Sequence, residues 1–93
     1  MNKIFKVGLI GCGHISETYF RAHKYFNNFK IIKCADINHK AAVKCAKINK
    51  IKAVSIKEIL NDKKIKVILN LTIPAAHYIV AHQAIKHGKH VYS

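Results

Sequence analysis

The stretch Val7-Gly8-Leu9-Ile10-Gly11-Cys12-Gly13-His14-Ile15-Ser16 constrains what this chain can fold into more than any other. A short apolar run enters a Gly-x-Gly bend and leaves it with helical spacing, so a strand must hand over directly to a helix. Gly11 permits the tight turn out of the strand, and Gly13, having no Cβ, lets an anionic group approach the backbone. The N–H groups and partial positive charge of the helix's first turn then face that anion. A second apolar run, Ile31-Ile32-Lys33-Cys34-Ala35, ends on Asp36, twenty residues after Ser16. A carboxylate there can accept hydrogen bonds from an adenosine ribose. Gly-x-Gly alone fits an ordinary strand-to-helix turn. Strand before, helix after and acid at this distance together point to a dinucleotide site. Ser16 stands at the third glycine of the G-x-G-x-x-G pattern, small enough for close helix–strand packing.

The same alternation continues to the end without linker, repeat or low-complexity segment, which predicts a βαβα chain. Strands are expected at Phe5 to Ile10, Ile31 to Ile37, Ala53-Val54, Lys66 to Thr72 and His90 to Tyr92. The first helix, His14 to Asn27, is expected to turn Ile15, Thr18, Tyr19, Ala22 and Phe26 inward. Asn38 is the expected N-cap of a helix through Lys47 that buries Ala42, Cys45 and Ala46. Ser55-Ile56-Lys57-Glu58 reads as a capping box opening a brief helix with Ile59 and Leu60. Pro74 suits the first turn of a helix to His87, with Ala76, Ile79, Val80 and Ala84 buried and Gly88 stopping it. Crossovers this short are right-handed, so the sheet should be parallel with helices on both faces, a Rossmann-type doubly wound α/β fold of strand order 3-2-1-4-5. A ligand then belongs at the switch point beyond strands one and four, where Gly11 to Ile15, Asp36 and Thr72 to Pro74 fall on one rim.

At 93 residues the chain is one small domain, expected to bury roughly 60–65% of its unfolded surface. Lys3, Lys6 and Gly8 interrupt the opening apolar run, so neither a leader nor a membrane span is expected, and the protein reads as cytoplasmic with no membrane partner. Cys12, Cys34 and Cys45 form no Cys-x-x-Cys pair and read as compact hydrophobes. No two histidines take an i, i+4 spacing on one helix, and no metal site is expected. The net charge of +13 raises nucleic acid as a partner, but 16 Lys against one Arg, scattered over every segment, lack the arginine-rich or aromatic-interleaved stretches that read bases. No nucleic-acid partner is expected; the charge helps attract an anionic cofactor.

The chain resembles the N-terminal domain of the glucose-fructose oxidoreductase / inositol dehydrogenase (Gfo/Idh/MocA) family. The resemblance is carried by Val7 to Ile15, by Ala35-Asp36-Ile37, by Thr72-Ile73-Pro74-Ala75-Ala76-His77, and most specifically by Ala84-Ile85-Lys86-His87-Gly88-Lys89-His90-Val91-Tyr92-Ser93. It implies that backbone groups of Gly11, Cys12, Gly13, His14 and Ile15 hold the pyrophosphate and that Asp36 binds the adenosine ribose, with Ile37 beside it in the cofactor site. Leu71, Thr72 and Pro74 would line the cofactor groove, with His77 beside it. Ala75 stands where family members often carry Asn, and Ile73 splits the Thr-Pro pair. In the family, Glu-Lys-Pro with a catalytic lysine follows the Gly-Lys-His-Val strand. Residues 1–93 are therefore expected to be an incomplete dinucleotide-binding domain with no catalytic residue and no C-terminal α+β substrate domain.

The expected function is cofactor binding in an NAD-dependent oxidoreductase that transfers hydride to or from a sugar or polyol carbon, with NADP the less favoured cofactor. Two other classes stay open. A methyltransferase would usually carry Asp or Glu where this chain has Leu9; a nucleotide-sensing module would bind the cofactor without turnover. Strand five should be a sheet edge, and self-association into a homo-oligomer is expected there.

Overall fold

Each apolar run forms a strand and each run of helical spacing a helix, in the order β1 (Phe5–Ile10), α1 (His14–Tyr25), β2 (Phe29–Ala35), α2 (His39–Asn49), β3 (Lys52–Ala53), α3 (Ile56–Asn61), β4 (Val67–Asn70), α4 (Pro74–Lys86) and β5 (His90–Tyr92). The computed structural model describes residues 4–25 and 28–92, with backbone alone at 14 and 23–25. The five strands pair in parallel in the order β3-β2-β1-β4-β5. This is the expected Rossmann-type sheet, and β3 and β5 are its edges.

Two hydrophobic layers sandwich the sheet. One joins Val7, Leu9, Ile31, Cys34 and Leu69 of the sheet to Phe20 of α1 and to Ala42, Cys45 and Ala46 of α2. The other joins Ile10, Ala35 and Ile68 to Ile59 and Leu60 of α3, to Val80 and Ala84 of α4, and to Ile65 in the loop before β4. Burying side chains on both faces explains why the strands read as continuous apolar runs.

Between β1 and β2 the register slips by one residue. Val7 faces Ile31, but Gly8 faces Lys33, leaving Ile32 unpaired in a bulge. Strict alternation would put residues 31, 33 and 35 on one face. The bulge moves Cys34 to the same face as Ile31 and aims Lys33 at the opposite one, where its ammonium meets Asp62 (2.8 Å) and Glu58 (3.1 Å).

Local signals explain the ends of the helices. Asn38 accepts from the Lys40 N–H (3.1 Å), and Ser55 accepts from the Glu58 N–H (3.1 Å). The Glu58 carboxylate pairs with Lys33, so the capping box uses its serine half and lends its acid to the sheet. Pro74 opens α4 behind Ile73, which offers no side-chain cap, and the chain leaves that helix through His87 and Gly88.

Several expected boundaries and faces change. β2 begins at Phe29 and stops at Ala35, β3 is shifted to Lys52–Ala53, β4 keeps only Val67–Asn70, α2 runs on to Asn49 and α4 ends at Lys86. Among the described side chains of α1 the buried ones are Ser16 and Phe20, one turn apart; Tyr19 and Ala22 are half-buried, while Ile15 is 64% exposed and Thr18 also faces solvent. The sheet meets α1 about one residue round the helix from its most apolar stripe, since the residue at the third-glycine position must lie against the sheet. Phe26 and Asn27 lie outside the described residues. On α4, Val80 and Ala84 are buried as expected, Ala76 is half-buried, and Ile79 points outward.

Candidate functional site

The C-terminal ends of β1, β2 and β4 meet at one rim. Gly11 donates to the Ala35 carbonyl (2.9 Å), and Leu71 donates to the Ile10 carbonyl (2.8 Å), so the turn after β1 is strapped to both neighbouring strands. Gly11 has φ 103°, and a Cβ there would lie 2.5 Å from the Leu71 carbonyl carbon and oxygen and 2.8 Å from the Thr72 nitrogen. Only glycine fits, because the backbone is left-handed and the obstruction is itself backbone.

Gly13 differs. A Cβ there would meet nothing among the described residues within 4 Å. No packing among the described residues explains the glycine, and the space beside it lies at the first turn of α1, where N–H groups lack intrahelical partners. Ser16 closes that turn by donating its hydroxyl to the Gly13 carbonyl (2.6 Å) and is buried against the sheet, as the third glycine would be.

Asp36 sits immediately past β2 and is half-buried. Its two carboxylate oxygens accept from the Cys12 N–H (2.7 Å) and the Asn38 N–H (2.8 Å). Two charge-assisted bonds to backbone hold the acid against the glycine turn. Ile37 beside it is exposed, as are Ile15 and Pro74.

On the β4 side the organising residue is Asn70, which sequence reading passed over. It is 1% exposed; its amide donates to the His77 carbonyl (2.8 Å), and its Oδ1 accepts from the Thr72 hydroxyl (2.7 Å). Asn70 thereby ties the end of β4 to α4 and fixes Thr72, with Leu71 and Thr72 half-buried. The signal was legible: a lone amide within the apolar run Val67 to Leu71 must find partners inside. Gly11, Cys12, Asp36, Leu71, Thr72 and His77 are thus linked through backbone and side-chain bonds around one rim, with Gly13, His14 and Ile15 opening α1 beside them.

A feature the spacing of the cysteines does not reveal lies under the same turn. The sulfurs of Cys12, Cys34 and Cys45 all lie within 4.8 Å of one another. Cys12 is half-buried, the other two are buried, and none is in a disulfide. Hydrogen bonding between Cys12 and Cys34 pushes the Cys12 thiol up and draws the Cys34 thiol down, while burial pushes Cys45 up.

Fold and rim together define a dinucleotide-binding domain of the Rossmann class. A family model described as oxidoreductase family, NAD-binding Rossmann fold, matches residues 5–93, and the chain belongs to that family, Gfo/Idh/MocA. Among solved structures, it is similar to myo-inositol dehydrogenase from Lactobacillus casei in complex with NAD(H) and myo-inositol, with 22% identity, TM-score 0.84, and coverage of 95% of this chain and 27% of that one. Biliverdin reductase from Synechocystis sp. PCC 6803, in complex with biliverdin and NADP+, matches with 23% identity, TM-score 0.84 and coverage of 92% and 28%. A 3-ketoreductase from Actinomadura kijaniata, in complex with NADP and TDP-benzene, matches with 19% identity, TM-score 0.86 and coverage of 96% and 28%. The chain thus spans about a quarter of the length of these structures. No curated protein sequence matches it significantly. Among the described residues no helix is long and apolar enough to cross a membrane.

Proposed function

We propose that residues 1–93 form the cofactor-binding domain of an oxidoreductase that prefers NAD to NADP and works on a hydroxyl or carbonyl carbon of a sugar or polyol. The observation that carries the cofactor preference is Asp36, its carboxylate held by the Cys12 and Asn38 N–H groups at the edge of the glycine turn. A ribose there can donate hydroxyls to the acid, whereas a 2′-phosphate meets like charge, with Lys40 the first lysine after the acid to offset it.

The pyrophosphate is assigned to the open space at Gly13, against the backbone of Gly11 to Ile15. The nicotinamide half is assigned to the groove of Leu71, Thr72, Pro74 and His77, with Ile37 flanking the adenosine. The bound nicotinamide supplies hydride chemistry; the chain's own residues orient it and present one face. The substrate contacts and the proton-transferring group are assigned to a further domain, so the 93 residues alone should turn over no polyol. The sugar or polyol class is supported by relatives such as the myo-inositol dehydrogenase complex.

Fluorescence titration with NADH and NADPH tests the site. Weak NADH binding is expected, tighter than NADPH. Gly13→Val should abolish it, because a branched side chain fills the pyrophosphate's space, and Asp36→Ser should narrow the preference. Equal NADH binding by wild type and Gly13→Val would overturn the site, and tighter NADPH binding by the wild type would overturn the role of Asp36.

A further inference from the structure

Three separate elements deliver the three cysteines to one point: the turn after β1 brings Cys12, β2 brings Cys34 and α2 brings Cys45. The β1–β2 bulge is what turns Cys34 to this face. At a metal–sulfur distance of about 2.3 Å, tetrahedral coordination sets sulfurs roughly 3.8 Å apart. Sulfurs already within 4.8 Å of one another need to close by only about an ångström to share one ion. A disulfide would require one pair to close to about 2.05 Å and would leave the third thiol unused.

The surroundings suit a cation. A cleft of about 550 Å³ reaches Cys12 and Cys45 between α1 and α2, and Ser16, Glu17, Lys44 and Asn49 also line it. It provides an entry path and room for a fourth ligand. The Asn49 amide points at the Cys45 sulfur from 3.8 Å, as an outer-shell donor to a thiolate would.

We propose that Cys12, Cys34 and Cys45 form a metal site that takes one soft or borderline d10 cation of the Zn(II) class through three thiolates, its fourth position opening onto the α1–α2 cleft. Three sulfurs select such an ion over Mg(II) or Ca(II), which take oxygen ligands. Each coordinating thiol gives its proton to solvent, so a divalent ion on three thiolates carries net charge −1 and binds more tightly as pH rises. Cys12 and Gly13 line this cleft and also belong to the turn assigned to the pyrophosphate, so the metal reading is tested without cofactor, and its failure leaves the dinucleotide reading standing.

The test is titration of the reduced 93-residue chain with Cd(II) in metal-free, oxygen-free buffer, followed by the ultraviolet thiolate-to-metal charge-transfer band, with Zn(II) as competitor. The band should saturate at one Cd(II) per chain and be displaced by Zn(II). Cys12→Ser, at the half-exposed position, should retain the far-ultraviolet circular dichroism of the wild type. It should weaken binding by more than the roughly 10–100-fold that loss of an outer-shell partner costs, and Cys34→Ser should do the same. Equal affinity in wild type and Cys12→Ser, equal affinity in the folded and the urea-unfolded chain, or no charge-transfer band would each overturn the site.

Discussion

The two faces of the sheet are covered differently. Under α3 and α4, Ile59, Ile65, Ile68 and Ala84 are sealed completely. On the other face α1 and α2 cover β1 to β3, but beside β4 and β5 an apolar groove of about 450 Å³ remains, lined by Phe5, Val7, Tyr19, Val67, Leu69 and Tyr92 among others. Polar ties follow the same division. The sealed face carries the Lys33 pairs with Glu58 and Asp62, and the buried Lys89, whose ammonium donates to the carbonyls of Asp62 (2.7 Å) and Ile65 (2.6 Å). Burial pushes the Lys89 ammonium below its usual pKa. The other face carries the cysteine cluster and the α1–α2 cleft. Completely buried side chains lie on both faces, Leu9, Ile31, Cys34 and Ala42 among them on the α1–α2 side; what differs is that the lysine ties lie on one face and the open groove, the cleft and the cysteine cluster on the other.

Adjacent residues of β4 test that division most strongly, because Ile68 points into the sealed face and Val67 lines the groove. Ile68→Ala should cost about 2–5 kcal/mol in urea unfolding. Val67→Ala, half-buried, should cost about 1 kcal/mol. Equal losses would show the groove side to be as tightly held as the sealed one.

Lys89→Met comes next. It keeps the apolar stem but removes the donor to the Ile65 carbonyl and leaves the Asp62 carbonyl with the Ile65 N–H alone, an expected loss of about 1–3 kcal/mol in the same measurement. A neutral result would mean that packing alone carries the sealed face.

The smallest effect is the Lys33–Asp62 pair. A hydrogen bond from Lys33, then one from the Lys64 N–H, holds the Asp62 carboxyl below the usual carboxylate range. Its stabilisation is therefore complete above the unfolded value of about 3.9 and lost as pH falls through the lower folded value. Lys33 is raised, chiefly by Asp62. Its share has the opposite sign, complete below about pH 10.4 and lost as pH rises through the folded value. Wild type should exceed Asp62→Asn by at most about 1 kcal/mol at neutral pH, and the gap should vanish in acid. A gap that persists in acid, once pH has fallen below the folded value, would assign the effect to packing.

The order of elements, the strand order and the glycine turn were legible because each rests on local chemistry. Apolar runs, Asn38 and Ser55 as caps, Pro74 at a first helical turn, and Gly11 in a bend are read from neighbours in the chain. Asp36 was placed by its distance from the turn, and it meets that turn through Cys12. Sequence could not say which stripe of α1 would face inward, since Ile15 and Phe20 both offer apolar surface and the sheet's position chooses Phe20. Nor could it show the bulge at Ile32, which comes from how β2 pairs with β1 and reverses the facing of every later residue in the strand. That one-residue slip sends Lys33 to Asp62 and Cys34 to Cys12 and Cys45. Local pattern determined which elements exist; their register against one another, a property of the paired sheet alone, decided which side chains meet.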